Sequence, residues 1–217
     1  MNYAHTDQKK KKRGFTLAEF LVVIAITMIL AGVSFVAAIH YRSRMRRLEM
    51  DHTAKEIFLA AQNQLSLENS SGTMERLLSQ AGGTDADKKL GIPVSVEGES
   101  DTYAILYPAT DDADCEEIRD RLLPFGTIDE TVRADGSYLI IYGAKSGTVR
   151  EVWYSDRYKF VTEDIGSTKL SEAAADDKKR EHYTGMNDAF QDNGQPIGHY
   201  AGDSITDAVI PNGETLN

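Results

Sequence analysis

Residues 20–39, FLVVIAITMILAGVSFVAAI, constrain this chain more than any other stretch. None of them is charged, and only Thr27 and Ser34 are polar. A helix of that length rises about 30 Å, the thickness of the hydrocarbon layer of a bilayer. Short hydroxyl side chains can bond back to their own helix, so neither is costly there. A helix in a soluble core is rarely apolar on every face for so long. The run therefore predicts a membrane-spanning helix.

The flanks of the run leave three outcomes open. A basic cluster, Lys9, Lys10, Lys11, Lys12 and Arg13, precedes it, and Arg42, Arg44, Arg46 and Arg47 follow. As a secretory signal peptide the segment would be cut near Val36-Ala37-Ala38, but the apolar stretch is longer than a usual signal core. As an uncut anchor it would keep the basic cluster in the cytoplasm, although arginines on both sides prevent the positive-inside rule from deciding the orientation. In the third outcome the chain is cut before the run, after Gly14, and the span survives with Phe15 at its start.

Gly14-Phe15-Thr16-Leu17-Ala18-Glu19, behind five basic residues and ahead of the span, resembles the prepilin signal of type IV pilins and type II secretion pseudopilins. The resemblance implies cleavage after Gly14 by a membrane prepilin peptidase and N-methylation of the new terminus, Phe15. It implies a role for Glu19 in assembly and processing. It also implies an assembly ATPase, an inner-membrane platform protein and other copies of the subunit, or other pilins, as partners. Ala18 departs from the bulky aliphatic common at that position, and the span lacks the proline of many major pilins. A minor pilin or a pseudopilin fits these departures better than a major adhesive pilin.

Electrostatics gives Glu19 the same role independently. An unpaired carboxylate inside a membrane assembly costs several kcal/mol. Cleavage after Gly14 creates a second stranded charge, the amine of Phe15. Side by side in a bundle, Glu19 of one subunit can neutralise the amine of another, and the pair then favours one axial offset between helices. The plainer reading places Glu19 at the membrane interface of a lone anchor. In every reading the basic cluster stays cytoplasmic and orients insertion, and membrane lipid is a partner.

Beyond the span, residues 41–67 contain no Gly or Pro, and Met45, Leu48, Ala54, Ile57, Phe58, Ala61 and Leu65 recur close to helical spacing. Arg46, Arg47, Glu49, Asp51, Lys55 and Glu56 are expected on other faces. One helix is thus expected over residues 15–67, broken by Asn69-Ser70-Ser71-Gly72. A short helix is expected over 74–83 and another over 113–123, whose acidic start complements the helix dipole. Strands are expected at 92–96, 102–107, 137–142 and 149–154, with a further one at 158–161. The pair around Gly143-Ala144-Lys145-Ser146-Gly147 reads as a hairpin. One apolar face of this antiparallel sheet should cover the amphipathic stripe of the long helix, with Trp153 in the core. Residues 171–183 read as a polar helix ended by Gly185, within a polar C-terminal region that wraps the sheet or lacks order.

The expected class is α+β and pilin-like. Its parts are a leader (1–14), a membrane and assembly half of the long helix (15–41), an amphipathic half (42–68), a sheet head (69–165) and the polar C-terminal region (166–217). The head would lie outside the cytoplasm, and in a pilus or pseudopilus after assembly.

The formal charge is −10, and loss of the leader removes five basic residues and Asp7, taking it to −14. So acidic a surface does not attract nucleic acid non-specifically. The single cysteine, Cys115, permits no intramolecular disulfide, and its acidic neighbours disfavour a thiolate. The five histidines show no metal-ligand spacing, and no phosphate loop, nucleophile elbow or CxxC is present. The sequence predicts a structural protein with no cofactor, no metal and no catalytic residue. A single-pass anchored ectodomain that binds a ligand without polymerising is the competing expectation.

Overall fold

The computed structural model describes residues 16–80, 90–96, 101–108, 116–187, 189 and 194–202. Two units divide between Arg42 and Ser43. The fold is α+β: a long apolar N-terminal helix whose later part packs on a five-stranded antiparallel sheet.

Helix α1 spans Leu17–Ser70. In the first unit its side chains are exposed, with only Ile24 half-covered. In the second unit one stripe is buried: Arg47, Met50, Ala54, Ile57, Phe58, Ala61 and Leu65. Steps of three and four place these on one side of the helix. The stripe corrects the expected phase. Met45 and Leu48 are 46% and 45% exposed, whereas Arg47 is 4% exposed. An arginine takes a core-facing position because carboxylates from two other turns of chain surround it, as described below.

Helix α2, Thr73–Gln80, follows the break at Ser71 and Gly72. The sheet is a meander of β1 (Ile92–Pro93), β2 (Thr102–Tyr107), β3 (Ser137–Gly143), β4 (Thr148–Ser155) and β5 (Gly198–Ala201), in that order across it. Helices α3 (Glu116–Leu122) and α4 (Glu130–Asp135) lie between β2 and β3 in the chain, and α5 (Thr168–Ala175) and α6 (Asp177–Glu181) between β4 and β5. The first expected strand is shorter than 92–96, and the polar helix divides where Asp176 caps α6 by accepting from the Lys178 N–H.

Both faces of the sheet are buried, not one. Alternation sends Tyr103, Ile105, Tyr138, Ile140 and Tyr142 to the α1 side and Ala104, Leu106, Leu139 and Ile141 to the other. In β4 the pairing jumps from Ile141 with Glu151 to Tyr142 with Val149. Arg150 is the extra residue of this bulge, so Val149 and Val152 share the α1 side. Trp153, 1% exposed, is core on the opposite side, where α5, Tyr158, Phe160, Tyr183 and Ile197 cover it.

The strand expected at 158–161 does not form. Side chains take its backbone donors instead: Ser155 Oγ accepts from Tyr158 N–H (2.9 Å), and Ser137 Oγ from Phe160 N–H (3.0 Å). Asp164 accepts from Val161 N–H (2.9 Å). The segment thus buries two rings without a ladder partner.

Two contacts fasten α1 to the strands. Gln62 donates to Gly147 O (3.0 Å) and accepts from Val149 N–H (2.7 Å), gripping the end of the β3–β4 hairpin. Gly198 of β5 lies so close to α1 that a Cβ there would stand 2.1 Å from the Met50 carbonyl carbon. Asp51 Oδ1 accepts from His199 N–H at 2.9 Å.

Candidate processing and assembly site

The described site begins at the start of α1. Thr16 N–H and Thr16 Oγ1 both donate to one Glu19 carboxylate oxygen, at 2.8 and 2.9 Å. Glu19 N–H donates back to Thr16 Oγ1 at 3.3 Å. This reciprocal pair is a capping box: each side chain satisfies a backbone donor that the first helical turn leaves over. Glu19 is exposed and sits at the helix end where the dipole favours a negative charge. Of the residues expected from sequence, only Glu19 lies among those described. Lys9, Lys10, Lys11, Lys12, Arg13, Gly14 and Phe15 lie outside them. Thr16 is missing from the expected site residues, although the T-L-A-E spacing is itself a capping-box signature.

Behind this start runs the apolar surface: Phe20, Ile29 and Phe35 are 59%, 67% and 69% exposed. The helix is long and apolar enough to cross a membrane. Thr27 Oγ1 donates to Ile24 O at 2.9 Å, so its hydroxyl is satisfied within the helix.

The arginines that follow the run do not share one environment. Arg42 and Arg44 are exposed. Arg46 bonds Asp156 at 2.7 Å. Arg47, expected on a face other than the apolar stripe, instead meets Asp51 at 2.9 Å, Asp177 at 3.1 Å and Glu181 at 3.6 Å.

Elsewhere the described residues of the head offer little chemistry. Among the described residues no three His, Cys, Asp or Glu side chains group to hold a metal ion. His52 faces Glu56 at 3.5 Å on the surface, and His199 faces Glu151 at 3.1 Å while stacking on Trp153. Cys115 lies outside the described residues. An open groove of about 560 Å³ runs past Asn69, Glu75, Ser79, Asp101 and Lys145. Buried Asp164 accepts from the hydroxyls of Tyr158 (2.8 Å) and Tyr183 (3.0 Å), and burial raises both tyrosines above their ordinary range. Four hydrogen-bonded neighbours leave that carboxylate no free side for a substrate.

Residues 9–35, which contain the basic cluster, Gly14, Phe15, Glu19 and most of the apolar run, match the family model described as the prokaryotic N-terminal methylation motif. The chain therefore carries the prepilin signal of type IV pilins and pseudopilins. No curated protein and no solved structure matches it.

Proposed function

We propose that the chain is a subunit, of the minor-pilin or pseudopilin kind, of a type IV pilus or a type II secretion-like filament. The observation that carries the proposal is the methylation motif at residues 9–35 running directly into a helix whose apolar side chains stand exposed. A prepilin peptidase cuts after Gly14 and Phe15 is methylated. Residues 15–41 anchor the chain in the membrane and then pack between neighbours, while residues 42–68 hold the head, outside the cytoplasm. Glu19 pairs with the amine of a neighbouring Phe15. An assembly ATPase and a membrane platform protein act on the growing filament. The motif points to a structural protein and away from an enzyme.

Glu19 has a capped state to leave. In the single chain its carboxylate is held by Thr16. A neighbouring amine brings a full opposite charge, which the two Thr16 donors lack, and so adds a Coulomb attraction to the hydrogen bond. Removal from water strengthens that preference further.

Mass spectrometry of the mature N-terminus tests the cut. Methylated Phe15 is expected, an intact leader would mean a plain anchor, and Ile39 an ordinary signal peptide. Assembly is tested with Glu19→Ala: leader removal should persist while filaments are lost. Normal filaments from that variant would remove Glu19 from assembly. A processed wild-type chain that never self-associates would instead favour an anchored ligand-binding ectodomain, for which the open groove is the available cleft.

A further inference from the structure

The head is fastened in two unlike ways. On the α1 side the sheet meets six apolar side chains of that helix: Met50, Ala54, Ile57, Phe58, Ala61 and Leu65. On the other side the chain after Gly166 contributes Leu170, Ala173, Tyr183 and Ile197. Tyr200 adds an edge-on ring contact with Phe58 of α1 at 5.0 Å, and the rest of that segment's grip is largely polar. Arg47 on α1 reaches Asp177 and Glu181 of α6. Arg180 of α6 stands 3.7 Å from Asp51 of α1, and also bonds Asp177. Tyr183 Oη donates to Asp164.

We propose that α5, α6 and β5 form a strap that opens from the sheet before the rest of the head unfolds, and that the Arg47 charge cluster sets how tightly it closes. Two observations support the separation. The strap leaves the preceding chain at Gly166, which turns at φ +68°, so the chain changes direction where the strap begins. Beside the contacts of β5 with Met50, Asp51 and Phe58, its attachment to α1 runs through an ion cluster in which Arg47 is buried and the carboxylates are partly exposed. Such clusters add little net stability when complete, because desolvation offsets attraction, yet losing one partner is strongly destabilising. Removing Arg47 leaves Asp51, Asp177 and Glu181 facing one another with Arg180 alone to balance them. Opening uncovers Leu139, Ile141 and Trp153 and takes His199 off the Trp153 ring. The proposal stands whether or not the chain polymerises.

Native-state hydrogen exchange on the full chain in detergent tests it, with acrylamide quenching of Trp153, the sole tryptophan, as a second readout. Amides of α5 and β5 should exchange through a lower-energy opening than those of Leu139 and Ile140. Arg47→Gln should speed the strap amides at least about tenfold and raise quenching, while the β3 amides change less than about twofold. Arg47→Lys should recover part of the protection. If Arg47→Gln fails to fold, Asp177→Asn removes one partly exposed partner, and a gain of about two- to threefold confined to the strap is expected. Exchange of β3 and β5 through one shared opening, or equal acceleration of both in a folded variant, overturns the proposal. So does strap exchange unchanged by Asp177→Asn and Arg47→Lys together.

Discussion

The two halves of α1 are one helix by backbone and two different objects by side chain. Residues 17–42 are apolar on nearly every face and almost entirely exposed. Residues 43–70 concentrate their apolar side chains on one stripe and bury it. A capping box starts the helix, and neither half contains a proline to end it. What differs is the solvent each pattern suits. An all-round apolar surface calls for lipid or a bundle of like helices, and a one-sided stripe calls for a sheet.

Substitutions that treat the halves alike sharpen this contrast or break it. The largest expected effect is at Ile57, fully buried against the sheet. Ile57→Ala should lower the unfolding free energy of the head by about 2–5 kcal/mol. Ile29→Ala, at an exposed site in the first half, should leave it within about 0.5 kcal/mol. Denaturant unfolding of the full chain in detergent measures both, and equal losses would mean that the halves are not energetically distinct.

Gly198→Ala should come next. The added carbon meets the Met50 backbone, which cannot swing aside as a side chain would, and a loss of about 1–3 kcal/mol is expected. An unchanged midpoint would show that β5 does not lie this close to α1. Gln62→Ala strands Val149 N–H and Gly147 O at the hairpin, for about 1–2 kcal/mol in the same assay.

The gentlest probe is alkaline pH. Burial pushes the Tyr154 hydroxyl up to about 12, and raises Tyr138, Tyr158 and Tyr183 as well. A tyrosine that ionises at about 10 when unfolded and later when folded contributes stability that is complete below pH 10. That contribution is lost as pH rises toward 12. Phenolate absorbance should therefore rise in two steps, exposed rings first and these four together with unfolding. A single step near pH 10 would place them in water.

Much of this is legible in the sequence, and the gaps have physical causes. Strand β2 and the β3–β4 hairpin follow from β-branched and aromatic runs around a glycine-bearing loop. The apolar half of α1 follows from hydropathy alone. Arg47 does not, because a charge takes a core-facing position only where partners arrive from afar, and Asp177 and Glu181 lie some 130 residues further on. The second buried face is equally hidden, since its cover is a mainly polar segment with a few apolar residues spaced widely. At 158–161 the local pattern suits a strand, but Ser137 and Ser155 satisfy the backbone first. At the candidate site, Gly14 and Glu19 stand out by spacing. Thr16 carries its own signal, the T-L-A-E capping-box spacing, but it lies inside the larger motif and is overshadowed by it.

The rims of the sheet carry a consequence for the filament subunit proposed above. At one rim β1 ends in Pro93, which has no amide to offer an incoming strand. At the other, the outward amides of Ile197 and His199 are already taken, by Arg180 O and by the Asp51 carboxylate. Among the described residues a stranger's backbone finds few open donors at either border, which discourages growth by sheet extension, the route to amyloid. In the proposed filament, adhesion between copies is then left to the apolar helix, where Glu19 and the Phe15 amine can dictate the order.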